Sequence, residues 1–272
     1  MTDLFDIKDK SIVITGGAGI LCGTLAKALA KRGARLCVVD YDVFRANELC
    51  KEIETDGGFA IPVQANVLEK KDLQEAFVCA VDSLGRIDAL INGAGGNKKE
   101  ATTSDEISFF DMPADAIRAV FDLNCLGTIL PSQIFGRQMA KQRHGVILNV
   151  SSMNAFRPLT KIAAYSAAKS AVSNFTQWLA VHMCQNYSRD IRVNAIAPGF
   201  FLTQQNQFLL MDEKTGNPTP RGKTIIDHTP MGRYGDADEL VGTTIWLLSD
   251  AAKFVTGVVV PVDGGFSAFS GV

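Results

Sequence analysis

No run of roughly 18 consecutive apolar residues occurs in the chain, so the sequence holds nothing that could cross a bilayer as a helix. Charge of one sign is equally scarce: 27 basic against 29 acidic residues give a net charge of −2, which leaves no broad basic field for a nucleic acid. We therefore expect neither a membrane nor a nucleic acid as partner. The three histidines, at positions 144, 182 and 228, lack the local spacing of a metal site, and we assign no metal. Six cysteines, at 22, 37, 50, 79, 125 and 184, form no C-x-x-C pair in a chain too large to need covalent staples. They read as reduced, mostly buried thiols. The opening MTDLFDIKDK intersperses acids and has no apolar stretch of the kind that heads a secretory signal, so the expectation is a soluble, cytoplasmic protein.

What is present is enough apolar material for a large core, 47% of 272 residues, without repeats or low-complexity linkers. Short apolar, β-branched runs at 11–15, 35–40, 60–64, 88–91, 146–150, 191–196 and 257–262 alternate with helical patterns. That alternation predicts an α/β protein of a single domain, residues 1–272: a doubly wound Rossmann fold whose seven-stranded parallel sheet carries helices on both faces.

The chemistry centres on LNVSSMNAFRPLTKIAAYSAAKSAVSNF, beginning at Leu148. Tyr165 and Lys169 stand four apart in an alanine-rich, helical run and so share a face. A free phenol titrates near 10, so proton transfer at neutral pH requires about 4 kcal/mol of preferential tyrosinate stabilisation, part of which the lysine can supply. Ser152, thirteen residues before the tyrosine, follows an apolar run that would deliver its hydroxyl to the carboxyl edge of a sheet. Ser, Tyr and Lys could then converge on one carbonyl oxygen; alone, a Tyr-x-x-x-Lys pair is equally readable as a packing tyrosine beside a solvated lysine.

Near the start, a strand leads directly into Gly16-Gly17-Ala18-Gly19-Ile20-Leu21-Cys22-Gly23 and then a helix. A strand, glycine turn and helix in that order let backbone approach a pyrophosphate at a helix N-terminus; the alternative is a left-handed turn with no ligand. Asp40, 24 residues after Gly16, ends the second strand, where a carboxylate can accept from ribose hydroxyls and repel a 2′-phosphate. It points to NAD, or else caps the helix starting near Val43.

Together these elements resemble the short-chain dehydrogenase/reductase family over nearly the whole chain. The resemblance implies reversible hydride transfer between NAD and an alcohol or carbonyl carbon, with Asn124, Ser152, Tyr165 and Lys169 as the catalytic set. Tyr165 would transfer the proton. Lys169 would depress its pKa and hold the nicotinamide ribose, Ser152 would bond the reacting oxygen, and Asn124 would order a connecting water, unless it is an ordinary buried amide. The family glycine pattern T-G-x-x-x-G-x-G is met at Thr15 and Gly16 but departs from it at Ile20 and Cys22. Cofactor contacts are expected from Gly16, Gly17, Gly19, Ile20, Leu21 and Asp40, from Asn66-Val67, from Asn92-Gly93-Ala94, from Tyr165 and Lys169, and from Pro198, Gly199 and Thr203. Asn66 also reads as a plain turn residue, and Thr203 as a helix cap.

The long polar loop beginning Gly96-Asn97-Lys98-Lys99 should flank the substrate, and residues at about 200–230 should cover it. These features, with Met153 to Pro158 and the glycine-rich C-terminus, look like the mannonate oxidoreductase (fructuronate reductase) branch of the family. That likeness implies a keto sugar acid substrate, met by Asn97, Ser152, Asn154 and Arg157, with Arg157 as carboxylate anchor or as a structural ion-pair partner. Family members usually assemble as homotetramers through the helices that carry Asn124 and Tyr165, and the same is expected here.

Overall fold

The computed structural model describes residues 3–202, 210–212 and 215–271. Seven parallel strands form one sheet in the order β3-β2-β1-β4-β5-β6-β7: β1 Ser11–Thr15, β2 Arg35–Asp40, β3 Phe59–Gln64, β4 Ala89–Asn92, β5 Gly145–Val150, β6 Ile191–Pro198 and β7 Val259–Val262. The expected doubly wound α/β sheet is the one observed. Strand interiors are apolar on both faces because both faces are covered: every residue of β1 and of β6 is buried.

Period-two geometry sorts these side chains into two layers. Ile12 and Ile14 of β1 join one core layer with Leu25 and Leu29 of helix α1 (Ile20–Lys31). Val13 faces the other, with Leu73 of α3 (Lys70–Leu84), Phe135 of α5 (Gly127–Gln142) and Leu179 of α6 (Ala163–Asn186). Each fully buried Leu or Ile contributes roughly 2 kcal/mol, so the two layers fix the sheet register firmly.

The remaining helices are α2 (Val43–Thr55), α4 (Ala114–Phe121), α7 (Pro220–Asp227) and α8 (Glu239–Leu248). One feature escapes the apolar periodicity. Between α4 and α5 the chain forms a π-turn over Asp122–Leu126, with Asn124 at its middle. Such insertions recur at functional sites because they redirect a side chain without ending the helix. The strand order reverses beside β1, whose neighbours are β2 and β4, so a crevice opens at the carboxyl ends of β1 and β4.

Candidate active site

The crevice is a cleft of about 620 Å³ whose walls include Gly16, Gly19, Asp40, Asn66, Gly93 and Lys98. Its floor is built by close backbone approach. Gly16 has φ of +59°, and a β-carbon there would lie 2.7 Å from the Cα and N of Ala94. Gly17 is buried beneath the turn instead: a β-carbon on it would meet Ile14 O and Val38 Cγ1 at 2.9 Å, so it supports the turn and does not face the cleft. Helix α1 starts at Ile20 with Gly19 as N-cap, no side-chain cap and no acid in its first turn. Its first N–H groups and positive dipole end are left for an anion, which is what a pyrophosphate requires. The residues present therefore fit a dinucleotide.

Asp40 at the far end of this cleft accepts from Ala18 N at 3.0 Å and from Asp42 N at 3.0 Å. The cap of α2 is Asp42, which accepts from Phe44 N and Arg45 N, so the capping alternative for Asp40 is excluded. Asp40 ties the end of β2 to the glycine turn and keeps lone pairs for hydroxyl donors. Asn66 lines the cleft while its Oδ1 accepts from Leu68 N at 3.0 Å, a local turn that leaves Nδ2 free to donate. Val67, beside it, is buried and also lines the cleft.

Asn92 departs from its expected role. It is 1% exposed, and its Nδ2 donates to Ser132 Oγ at 2.9 Å and to Asn149 Oδ1 at 2.8 Å, so its side chain belongs to a buried polar network and not to the cofactor. Gly93 and Ala94, next in the chain, do line the cleft. Pro198 ends β6, and Gly199 passes the C-terminal turn so tightly that a β-carbon would lie 2.6 Å from Asp263 Cα. Thr203 lies outside the described residues.

The proposed catalytic groups converge at the carboxyl end of β5. Ser152 caps the short turn Met153–Ala155, its Oγ accepting from Asn154 N at 3.3 Å, and it lies beside the Tyr165 phenol. Burial pushes the phenol above its ordinary value, and the neighbouring Ser152 hydroxyl pulls it partway back. Lys169 is 4% exposed; its Nζ donates to Val150 O at 2.8 Å and stands 5.6 Å from the centre of the tyrosine ring. Burial lowers its pKa from 10.5 to about 8. In the free cleft burial therefore outweighs the groups that favour the ionised phenol.

Asn124 is fully buried and differs from a simple water ligand. Its Nδ2 donates to Gly96 O at 2.7 Å and to Val120 O at 2.8 Å, and its Oδ1 accepts from Gly96 N at 3.2 Å. It clamps the start of the 96–111 loop, with one Oδ1 lone pair to spare.

Of the expected substrate residues, Ser152 and Asn154 meet, while Asn97 and Arg157 bond elsewhere. Asn97 is exposed and bonds Thr102 Oγ1 at 2.9 Å. Asn154 is buried, its Oδ1 has no partner, and it lines a hollow of about 490 Å³ with Thr103, Lys161 and Ser166. Arg157 is exposed and its Nε donates to Ser267 O at 3.2 Å, so one edge of the guanidinium is held by the C-terminal tail. Sequence reasoning missed Ser151, whose Oγ donates to Lys169 O at 3.1 Å and pairs with Ser173 Oγ at 2.7 Å, fastening α6 to the end of β5. The doubled serine of Ser151-Ser152 was the available signal.

A family model described as enoyl-(acyl carrier protein) reductase matches residues 18–267. An uncharacterised oxidoreductase of Haemophilus influenzae is 46% identical over 98% of this chain and 96% of its own length. A crystal structure from the same organism, provisionally called a D-mannonate oxidoreductase and holding NAD, superposes with a TM-score of 0.92 at 46% identity, covering 98% of both chains. A gluconate 5-dehydrogenase from Burkholderia cenocepacia, solved with NADP and tartrate, superposes with a TM-score of 0.85 at 30% identity, again over 98% of both chains.

Proposed function

Because this chain belongs to the short-chain dehydrogenase/reductase family, an oxidoreductase family, we propose that it uses NAD(H) to interconvert a secondary alcohol and a ketone on a sugar acid, D-mannonate and D-fructuronate. The observation that carries the catalytic part is that Ser152 and the buried Lys169 both lie beside Tyr165 at the end of the dinucleotide cleft. When bound, the nicotinamide supplies or takes the hydride at the reacting carbon.

In the reducing direction Tyr165 gives its phenolic proton to the carbonyl oxygen while the Ser152 hydroxyl donates to the same oxygen as charge develops on it. Lys169, protonated, would hold the nicotinamide ribose when the dinucleotide is bound and would favour the ionised phenol that the free cleft disfavours. Asn124 keeps the loop start seated against Lys169, and its spare lone pair is the place for a connecting water. Gly16, Gly19 and the α1 N–H groups hold the pyrophosphate, and Asp40 the adenosine ribose.

Asp40 supports NAD over NADP, since a 2′-phosphate would meet its carboxylate, and Arg45, which lines the same cleft, is already paired with Asp42. The sugar-acid reading is supported by likeness to the provisionally named mannonate oxidoreductase, with a ketogluconate as second reading from the gluconate 5-dehydrogenase. The residue that meets the carboxylate would be Arg157, released from Ser267 O and aided by Asn97 and Asn154; the covering segment expected at about 200–230 lies partly outside the described residues. A panel of D-fructuronate, 5-keto-D-gluconate, fructose and acetoacetyl thioester with NADH tests this. Fructuronate should be turned over at least tenfold better than fructose, and equal rates would remove the sugar-acid assignment.

A further inference from the structure

Positions 22 and 93 are remote in sequence, yet each explains the other. Gly93 has no left-handed backbone to account for its missing side chain. A β-carbon placed on it would nevertheless lie 2.1 Å from Cys22 Sγ, while the Cys22 β-carbon would stand at an ordinary 3.6 Å. The sulfur alone makes most of the conflict; a second, milder one is Thr15 O at 2.9 Å. Cys22 is 4% exposed and belongs to the core layer that α1 and β1 form.

The strap 93–95 has little slack. On one side Gly93 N donates to Thr15 O at 3.1 Å and Ala94 rests on Gly16. On the other, a β-carbon on Gly95 would lie 2.6 Å from Asn124 Oδ1 and 3.3 Å from Lys169 Nζ. The thickness of the residue at 22 thus sets where the strap can lie between the glycine turn and the lysine. We propose that Cys22 is a positioning residue of the dinucleotide cleft: its sulfur, bearing on Gly93, holds the 93–95 strap at the height at which it floors the cleft and seats Lys169. This rests on dinucleotide binding and not on the choice of substrate.

The test is a double-mutant cycle of Cys22→Ala, Gly93→Ala and both, read by NADH fluorescence titration and by the melting temperature of the dinucleotide-free protein. Gly93→Ala should weaken NADH binding at least tenfold and lower the melting temperature. Adding Cys22→Ala should recover at least threefold of that binding and part of the melting temperature, short of full rescue because Thr15 O remains close. A double variant no better than Gly93→Ala in both readouts overturns the proposal. If Gly93→Ala does not fold, Cys22→Ala and Cys22→Ser suffice: alanine should weaken NADH binding threefold or more and lower the melting temperature, and serine should restore both. Binding unchanged by Cys22→Ala overturns it equally. Neither readout requires the sugar-acid substrate, so a failed substrate assignment would leave this result standing.

Discussion

Replacing Lys169 by methionine should make the protein more stable and inactive at the same time. The ammonium is buried at 4% exposure, and burial lowers its pKa from 10.5 to about 8. At about 1.4 kcal/mol per pH unit, that drop means the charged form costs the folded state about 3 kcal/mol at pH 7. Methionine has nearly the same length and no charge to desolvate, but it forfeits the hydrogen bond to Val150 O, worth ~1–2 kcal/mol. The difference is a net gain of about 1–2 kcal/mol, or roughly 2–8 °C in melting temperature for a chain of this size. The pH dependence fixes the cause. Because the folded value lies below the unfolded one, the wild type is most penalised below pH 8 and recovers stability as pH rises from about 8 to 10.5. The variant's advantage should therefore be full at pH 7 and reversed by pH 10.5, where the desolvation cost is nearly gone and the lost hydrogen bond remains. Calorimetry of the dinucleotide-free proteins across that range reads it directly. A variant that melts lower than wild type at pH 7, or whose advantage does not change with pH, would refute the reasoning.

The remaining predictions concern binding, pH and assembly. Asp40→Ala should reduce the preference for NADH over NADPH by tenfold or more in binding titrations, and should cost about 1 kcal/mol of stability because Ala18 N loses its acceptor; a wild type that already favours NADPH would contradict the first part. Since the protonated lysine is the form that donates to ribose, kcat/KM for NADH should fall on the alkaline side with a limb near pH 8; a flat profile to pH 9.5 would count against that role. Light scattering should report a homotetramer, a state supported by Trp178 on α6, 56% exposed and stacked with both Phe175 and His182; a strict monomer is the failing result.

How much of this was legible beforehand depended on whether the signal was local. The β-branched runs gave all seven strands to within about two residues, because fully covered parallel strands have few ways to be written. Ser152, Tyr165 and Lys169 met as expected, since one strand end and one helix turn determine their separation. Side-chain commitments made across the fold were not legible. Asn92 looked like a cleft residue from its place at a strand end, yet its amide is consumed by Ser132 and Asn149 from other elements. Arg157 is drawn to a carbonyl 110 residues away. The π-turn at Asn124 left no trace because one wider turn barely disturbs an apolar stripe. Cys22 stood out as a departure from the family glycine pattern, but only the pairing of β1 with β4 places Gly93 against it.

The measurement that bears most directly on the proposed chemistry is a comparison of Tyr165→Phe with the wild type, using NADH and D-fructuronate and recording both NADH binding and turnover. The phenylalanine ring can still pack, and only the proton-bearing oxygen is lost. The variant should bind NADH within about threefold of wild type and lose about a thousandfold or more in kcat. Turnover within tenfold of wild type would show that the proton comes from elsewhere, and the role assigned to Tyr165 would fall.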